Sequence, residues 1–420
     1  MPDINKKLRN AIDIPYGSGS IQLDLSRFQE NFDIFYPPHL EEKPLAEKDI
    51  ERFLEKQVVN FKADATISIA INDNTRPARN DLLLKTLLYY LESKNIQRDR
   101  IVIWIAMGTH TPLDPARYKD IIPSEIVESY RIYAHNCDLQ NNLLYLGETS
   151  HGTPVYINKM FFESDIKITI GTIEPHHFMG FSGGAKTAGI GLAGRETIEK
   201  NHTLLLQPHT ETAEYSRNPM RMDLEEIGDM LKIDTCFNAI MDHHKNVIRL
   251  FWGKPRDVMV AGIEWSKKLC QISVPDLYDV VIASAGGFPK DINFYQAQKA
   301  ITNACMICKK GGSIILLAEC REGPGNQRFY EFMQGKRDFS EVIEKFRDIP
   351  FAIGPHKAYL LARQGLQYDL FLKSSMDDNM VRTMLMTPLP SLQEMVGNET
   401  MPNKKIALLP YAALTVPNLL

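Results

Sequence analysis

At 420 residues, 44% of them hydrophobic and 24% charged, with a net charge of −4, the chain has the composition of an ordinary globular protein, and its length predicts two domains with separate cores. There is no basic excess to draw in nucleic acid or anionic lipid, and no apolar run is long enough to span a bilayer. Met1 through Tyr16 lacks the continuous apolar core of a signal peptide, and six cysteines are too few for a disulfide framework, which together point to the reducing cytoplasm.

Short runs of Ile, Val, Leu and Ala, most of them followed by helical periodicity, predict parallel strands covered by helices. In chain order these are Ala65 to Ile71, Ile101 to Ala106, Ile166 to Ile170, Val280 to Ala283 and Ser313 to Ala318, with Phe351 to Ile353 and Lys405 to Leu409 as two further candidates. Leu82, Leu83, Leu87, Leu88 and Leu91 recur at the spacing of an amphipathic helix after the first strand. A helix over Asp257 to Leu269 precedes a boundary placed near Cys270 to Asp276. The expectation is therefore an α/β protein of two doubly wound Rossmann-like domains, 1–272 and 273–420, with the active site in the interdomain cleft. The closing Pro410 to Leu420 is expected to cross back to the first domain.

Polar clusters stand where these strands end. Asp73, Thr75 and Arg76 follow the first, Gly108, Thr109 and His110 the second, Glu174 to His177 the third, and Gly286, Gly287 and Pro289 the fourth. Each alone reads as a turn or a helix start, but all four fall beyond strand ends, where open α/β sheets bind ligands. Between Gly180 and Gly194 the chain carries six glycines around Lys186, a density that lets backbone amides approach a phosphate or a planar ring. Gly180 to Thr187 almost matches a nucleoside-triphosphate loop, but Ala185 stands where its second Gly belongs and Thr172 to Met179 separate it from its strand. Cys305-Met306-Ile307-Cys308 lacks the second ligand pair of a zinc site and reads as helix-borne packing, while His243 and His244 sit in a turn-like segment.

Glu174-Pro175-His176, Phe181-Ser182-Gly183-Gly184-Ala185-Lys186, Ala193-Gly194-Arg195-Glu196-Thr197 and Asn201-His202 together resemble the nickel-dependent lactate racemase family. Asp73-Asn74-Thr75-Arg76-Pro77, Gly108-Thr109-His110 and Tyr295-Gln296-Ala297-Gln298-Lys299 match three more of its motifs in the same order. The resemblance implies a racemase or epimerase of a small 2-hydroxy acid that uses a nickel-pincer nucleotide, a pyridinium-3-thioamide-5-thiocarboxylic acid mononucleotide, joined to Lys186. It makes His202 the nickel ligand and His110 and His176 the two bases. Arg76 and Lys299 would hold the substrate carboxylate with support from Tyr295 and Gln296, and Asp73 would orient the cofactor or Arg76. Thr75, Gly183 and Gly184 would border the nucleotide. It also implies hydride removal to a 2-keto acid and return, since the α-hydrogen beside a carboxylate is barely acidic, and it implies cofactor-building enzymes as partners.

Thr111, His177 and His356-Lys357-Ala358-Tyr359 depart from the lactate pattern toward polar or basic groups, which favours a substrate more polar than lactate. Two other readings remain at this point. A nicotinamide-dependent 2-hydroxy acid dehydrogenase shares the chemistry, but no early strand is followed by G-x-G-x-x-G. A non-catalytic protein that binds a nucleotide cofactor would need neither histidine.

Overall fold

The computed structural model describes residues 11–26, 31–38, 42–57, 62, 64–73, 78–242, 244–396 and 403–420; Thr75, Arg76 and His243 lie outside them. The chain divides into two compact units, Leu40–Leu269 and Met1–His39 with Cys270–Leu420. The described residues 11–26 and 31–38 therefore group with 270–420 rather than with the rest of the expected 1–272 domain. Phe32–Ile34 pairs in parallel with Ile406–Leu409, and the hairpin Ala11–Tyr16/Gly19–Asp24 buries Ile14 and Leu23 in a cluster with Val280, Ile282 and Leu408.

In the 40–269 unit six strands lie in the order Val247–Gly253, Thr235–Met241, Ile166–Thr172, Ile67–Asn72, Ile101–Ala106, Arg131–Ala134. All are parallel except Val247–Gly253, which forms an antiparallel hairpin with its neighbour. The isoleucines of Ile67–Asn72 and Ile101–Ala106 are buried against Leu83, Leu84, Leu87, Leu88 and Leu91 of the helix Leu83–Ser93. Each such side chain taken from water contributes about 1.5–3 kcal/mol, which fixes the helix on its leucine face. The chain begins at Ile67–Asn72, builds outward to Arg131–Ala134, then returns to lay Ile166–Thr172 on the other side. That reversal opens a crevice beyond the carboxyl ends of these two central strands.

The other unit repeats the scheme with six parallel strands in the order Thr387–Pro388, Asp369–Lys373, Cys308–Leu317, Tyr278–Ser284, Ile406–Leu409, Phe32–Ile34. Its reversal falls between Tyr278–Ser284 and Ile406–Leu409. Phe351–Ile353 is not the strand its composition suggested: it leads through Gly354, at φ +103°, into the helix Pro355–Gly365. The strand is Asp369–Lys373, where Leu370 and Leu372 alternate with less buried neighbours. The closing segment ends as Val416–Leu419, paired in parallel with Gln271–Val274 of the same unit rather than crossing back to the first domain. Among the described residues no helix is long and apolar enough to cross a membrane.

Candidate active site

In the 40–269 unit the strand Ile67–Asn72 delivers Asp73, which is buried, to the crevice. The neighbouring strand Ile101–Ala106 runs into Gly108, whose φ of +54° turns the chain while its amide donates to the Gly191 carbonyl at 3.0 Å. The turn sets His110 Nδ1 2.6 Å from Asp73 Oδ2. A carboxylate at that position holds the ring proton on Nδ1 and leaves the Nε2 lone pair to accept a proton. Asp73 thus meets His110, a pairing that sequence order alone does not reveal.

His176 lies in the short hairpin Pro175–His176/Gly180–Phe181, beyond Ile166–Thr172. Its Nδ1 accepts the Met179 amide at 3.2 Å, so the neutral ring carries its proton on Nε2. The rings of His176 and His177 stack at 4.8 Å, and Phe178 meets both edge-on at 4.5 and 4.3 Å. Phe178 also packs against His202 at 5.9 Å, which places the expected base and the expected metal ligand around one aromatic wall. His202 sits on the helix Arg195–Thr203 and donates from Nδ1 to the Ile198 carbonyl at 2.7 Å. Were His202 to bind a metal, Nε2 would be the nitrogen to do so, the usual arrangement for a ligating imidazole. Among the described residues no group of three or more His, Cys, Asp or Glu could hold a metal ion. A metal on His202 would take its remaining donors from a bound group.

Lys186 opens the short helix Lys186–Gly189, and its Nζ is buried. Thr187 Oγ1 bonds Asn72 Oδ1 at 3.2 Å, tying this helix to the end of the first strand. The six glycines around Lys186 prove to be packed tightly against the protein itself. A Cβ on Gly180 would fall 1.8 Å from the Glu214 carbonyl oxygen, on Gly183 2.7 Å from Ile173 Cγ1, on Gly184 2.6 Å from Met259 Cγ, and on Gly191 2.4 Å from Ala106 Cβ. Gly189 and Gly194 are equally close to Leu224 and Leu143, each at 2.8 Å. The Gly184 amide, moreover, donates to Asn238 Oδ1 at 2.7 Å, so it is not available to a phosphate. Internal close packing explains these glycines, rather than an open cradle.

In the other unit Tyr295, Gln296 and Lys299 lie on the helix Phe294–Cys305, whose N-terminus is capped by Asn293 Oδ1 accepting the Gln296 amide at 3.0 Å. Gln296 and Lys299 are exposed and Tyr295 half-buried; burial pushes the Tyr295 hydroxyl up to about 12. Below them lies Lys357, which sequence reading placed in a polar region without assigning it a role. It is buried, donates from Nζ to the Tyr295 carbonyl at 2.7 Å, and stands 4.6 Å over the Tyr295 ring. Burial, and after it the charge of Lys299, pull its amine down to about 7. The signal available in the sequence was a lysine beside Ala358, Leu361 and Ala362, which are all buried on the same helix. The Gly286-Gly287 turn at the carboxyl end of Tyr278–Ser284 is clasped by the hairpin at Gly17: the Phe288 amide donates to the Gly17 carbonyl at 2.8 Å, and Asp291 Oδ2 accepts the Gly17 amide at 2.6 Å.

Residues 16–213 match the lactate racemase N-terminal domain and residues 275–411 the lactate racemase C-terminal domain, together well over half of the chain. The lactate racemase of Thermoanaerobacterium thermosaccharolyticum is 28% identical over 397 residues, 91% of this chain and 92% of its own length. That of Lactiplantibacillus plantarum is 29% identical over 352 residues, 81% of this chain and 82% of its own. The structure of the T. thermosaccharolyticum lactate racemase apoprotein superposes with a TM-score of 0.86 at 27% identity, covering 97% of this chain and all of that one. A Thermotoga maritima protein shares the fold at a TM-score of 0.64 and 17% identity, covering 91% of this chain and all of that one. The chain belongs to the lactate racemase family of isomerases.

Proposed function

We propose that the protein inverts the α-carbon of a small 2-hydroxy acid, lactate or a more polar relative, with a nickel-pincer nucleotide joined to Lys186 and His202 as the nickel ligand. The observation that carries this reading is the 2.6 Å contact between Asp73 and His110 at the crevice of the unit that also bears Lys186, because it gives a base with a defined lone pair. When bound, the nucleotide supplies hydride acceptance and return at the α-carbon. His110 Nε2 takes the hydroxyl proton, and the Asp73 carboxylate stabilises the imidazolium that results. Neutral His176 presents Nε2–H to the substrate oxygen as a hydrogen-bond donor; to serve as base for the opposite enantiomer it would first have to release Nδ1 from the Met179 amide, so that Nε2 carries the lone pair. Phe178 keeps water from the space between His176 and His202.

We assign the nucleotide and both histidines to the 40–269 unit, with Asp73, Thr75 and Gly183 bordering the nucleotide. As candidates for the substrate carboxylate we propose Arg76, a residue type suited to it by bidentate geometry, and Lys299 of the other unit, with Tyr295 and Gln296 on the same helix as Lys299. The cysteines at 137, 236, 270, 305, 308 and 320 are free, which suits the cytoplasm, where enzymes that build the nucleotide would load it. A panel of single-enantiomer 2-hydroxy acids followed by chiral separation, on protein whose Lys186 peptide carries the nucleotide mass, tests the reading. Inversion of at least one member is expected. Inversion of none, or activity with unmodified Lys186, would overturn it.

A further inference from the structure

The segments next to His176, Lys186 and His202 are held by one helix, Pro219–Leu231, with its N-cap Asn218, whose polar side chains are among the most buried of the described residues: Asn218, Arg221 and Asp223 are 0% exposed and Glu225 3%. Asn218 Nδ2 donates to the Phe178 carbonyl at 2.8 Å. Arg221 donates from Nη1 to the Phe181 carbonyl at 3.0 Å and from Nη2 to the Gly183 carbonyl at 3.3 Å, while its Nε meets Glu225 Oε1 at 2.7 Å. On the other side Asn201, the residue before His202, donates to the Met220 carbonyl at 3.0 Å and to Asp223 Oδ2 at 2.7 Å. The loop between His176 and Lys186 therefore rests on carbonyls 178, 181 and 183, each held by a buried side chain of this helix.

We infer that Arg221 is a positioning residue that moulds this loop and so presents the Lys186 amine, an inference that rests on the role of Lys186 proposed above. A buried ion pair such as Arg221–Glu225 is seldom more stabilising than two apolar side chains of the same volume. Stability alone therefore does not account for it. What Arg provides and an apolar residue cannot is a rigid fork that bonds two carbonyls at once. Gly183 turns the chain between them at φ +85°, and the loop presses so closely on the guanidinium that a Cβ on Gly184 would stand 3.0 Å from Arg221 Nη2. Loss of the fork frees both carbonyls, and the loop relaxes away from the helix immediately before Lys186.

The test is amine labelling of the nucleotide-free protein with an acylating reagent, read at individual lysines by peptide mapping beside the thermal midpoint. Two variants are compared with the parent: Arg221→Lys, which keeps the charge but not the fork, and Arg221→Met combined with Glu225→Met, which leaves no buried charge unpaired. Lys186 labelling should rise at least about tenfold in each, the change in an opening equilibrium that loss of one buried hydrogen bond brings. Labelling of buried Lys357 in the other unit should stay as it was. Either variant folding with Lys186 labelling unchanged would overturn the inference, and so would loss of the fold in both, which would make Arg221 a stability residue only. Because labelling needs no nucleotide, the result stands apart from the loading assay: parent protein that is active without nucleotide on Lys186 would defeat the proposed function, whatever labelling shows.

Discussion

Replacing Lys357 by Met removes a cation held out of water, and the effect on stability should depend on pH. The amine sits at about 7 in the folded chain, through burial and the charge of Lys299, against 10.5 ordinarily. Each tenfold difference in proton affinity corresponds to about 1.4 kcal/mol, so below pH 7 the buried charge costs roughly 5 kcal/mol. This cost is fully present below pH 7. It shrinks as pH rises, because the folded chain releases the proton while the unfolded chain keeps it, and it is gone above 10.5. At about pH 9.5 roughly 1 kcal/mol remains. The Met variant loses the bond to the Tyr295 carbonyl, about 1 kcal/mol. It should therefore be more stable than the parent by roughly 4 kcal/mol at about pH 6 and nearly equal at about pH 9.5. For a unit of this size that is a rise of about 10 °C in Tm at the lower pH. Thermal unfolding of both proteins at the two pH values isolates Lys357 together with its coupling to Lys299, since titrating groups that do not interact with Lys357 cancel in the difference. An equal shift at both pH values, or a less stable variant at low pH, would refute the reasoning.

Asp73→Asn should lower kcat for racemisation by about 10² or more with little change in KM, because an amide no longer fixes the His110 tautomer or steadies its charge. A raised KM with kcat intact would instead place Asp73 on the substrate. Gly191→Ala puts a methyl 2.3 Å from the Thr187 carbonyl oxygen and 2.4 Å from Ala106 Cβ, so denaturant titration should show a loss of about 1–3 kcal/mol or more. A neutral result would mean that this turn yields easily. Burial pushes the Cys308 thiol up to about 12 and the Cys305 thiol higher still. In native protein at about pH 8 neither should react with a thiol reagent until the chain unfolds, and prompt modification would show a more open site.

The two sheets were legible because strands covered on both faces read as unbroken apolar runs, and Ile101–Ala106 appears with the bounds its sequence suggested. Such runs say less about partners. Phe32–Ile34 and Asp369–Lys373 are short and partly polar, so their places in the second sheet follow only from pairing with Ile406–Leu409 and Cys308–Leu317. Phe351–Ile353 misled because three apolar residues fit a buried helix approach as well as a strand. In the candidate site, Asp73, His110 and His176 stood out because each follows a strand, Lys186 because it stands among glycines, and His202, on a helix, only through the family resemblance. Their supports did not: Arg221, Glu225 and Asp223 look like the charged face of an amphipathic helix, and only burial on all sides distinguishes them.

The glycines sharpen this point, because one sequence feature had two physical explanations with different consequences. A glycine-rich loop around a lysine fits a cradle for a phosphate, and it fits equally a loop pressed into its own interior. The contacts favour the second at all six positions, with Glu214, Ile173, Met259, Leu224, Ala106 and Leu143 occupying the space that side chains would need. A cradle would be shaped by what it binds and would stay loose until occupied. A loop locked against Ile173, Met259 and Arg221 has its form before anything arrives, so Lys186 is presented by the fold itself. As the proposed anchor, Lys186 would then be rigid before loading, and changes at the exposed Gln296 and Lys299 or the half-buried Tyr295, in the other unit, should leave it undisturbed.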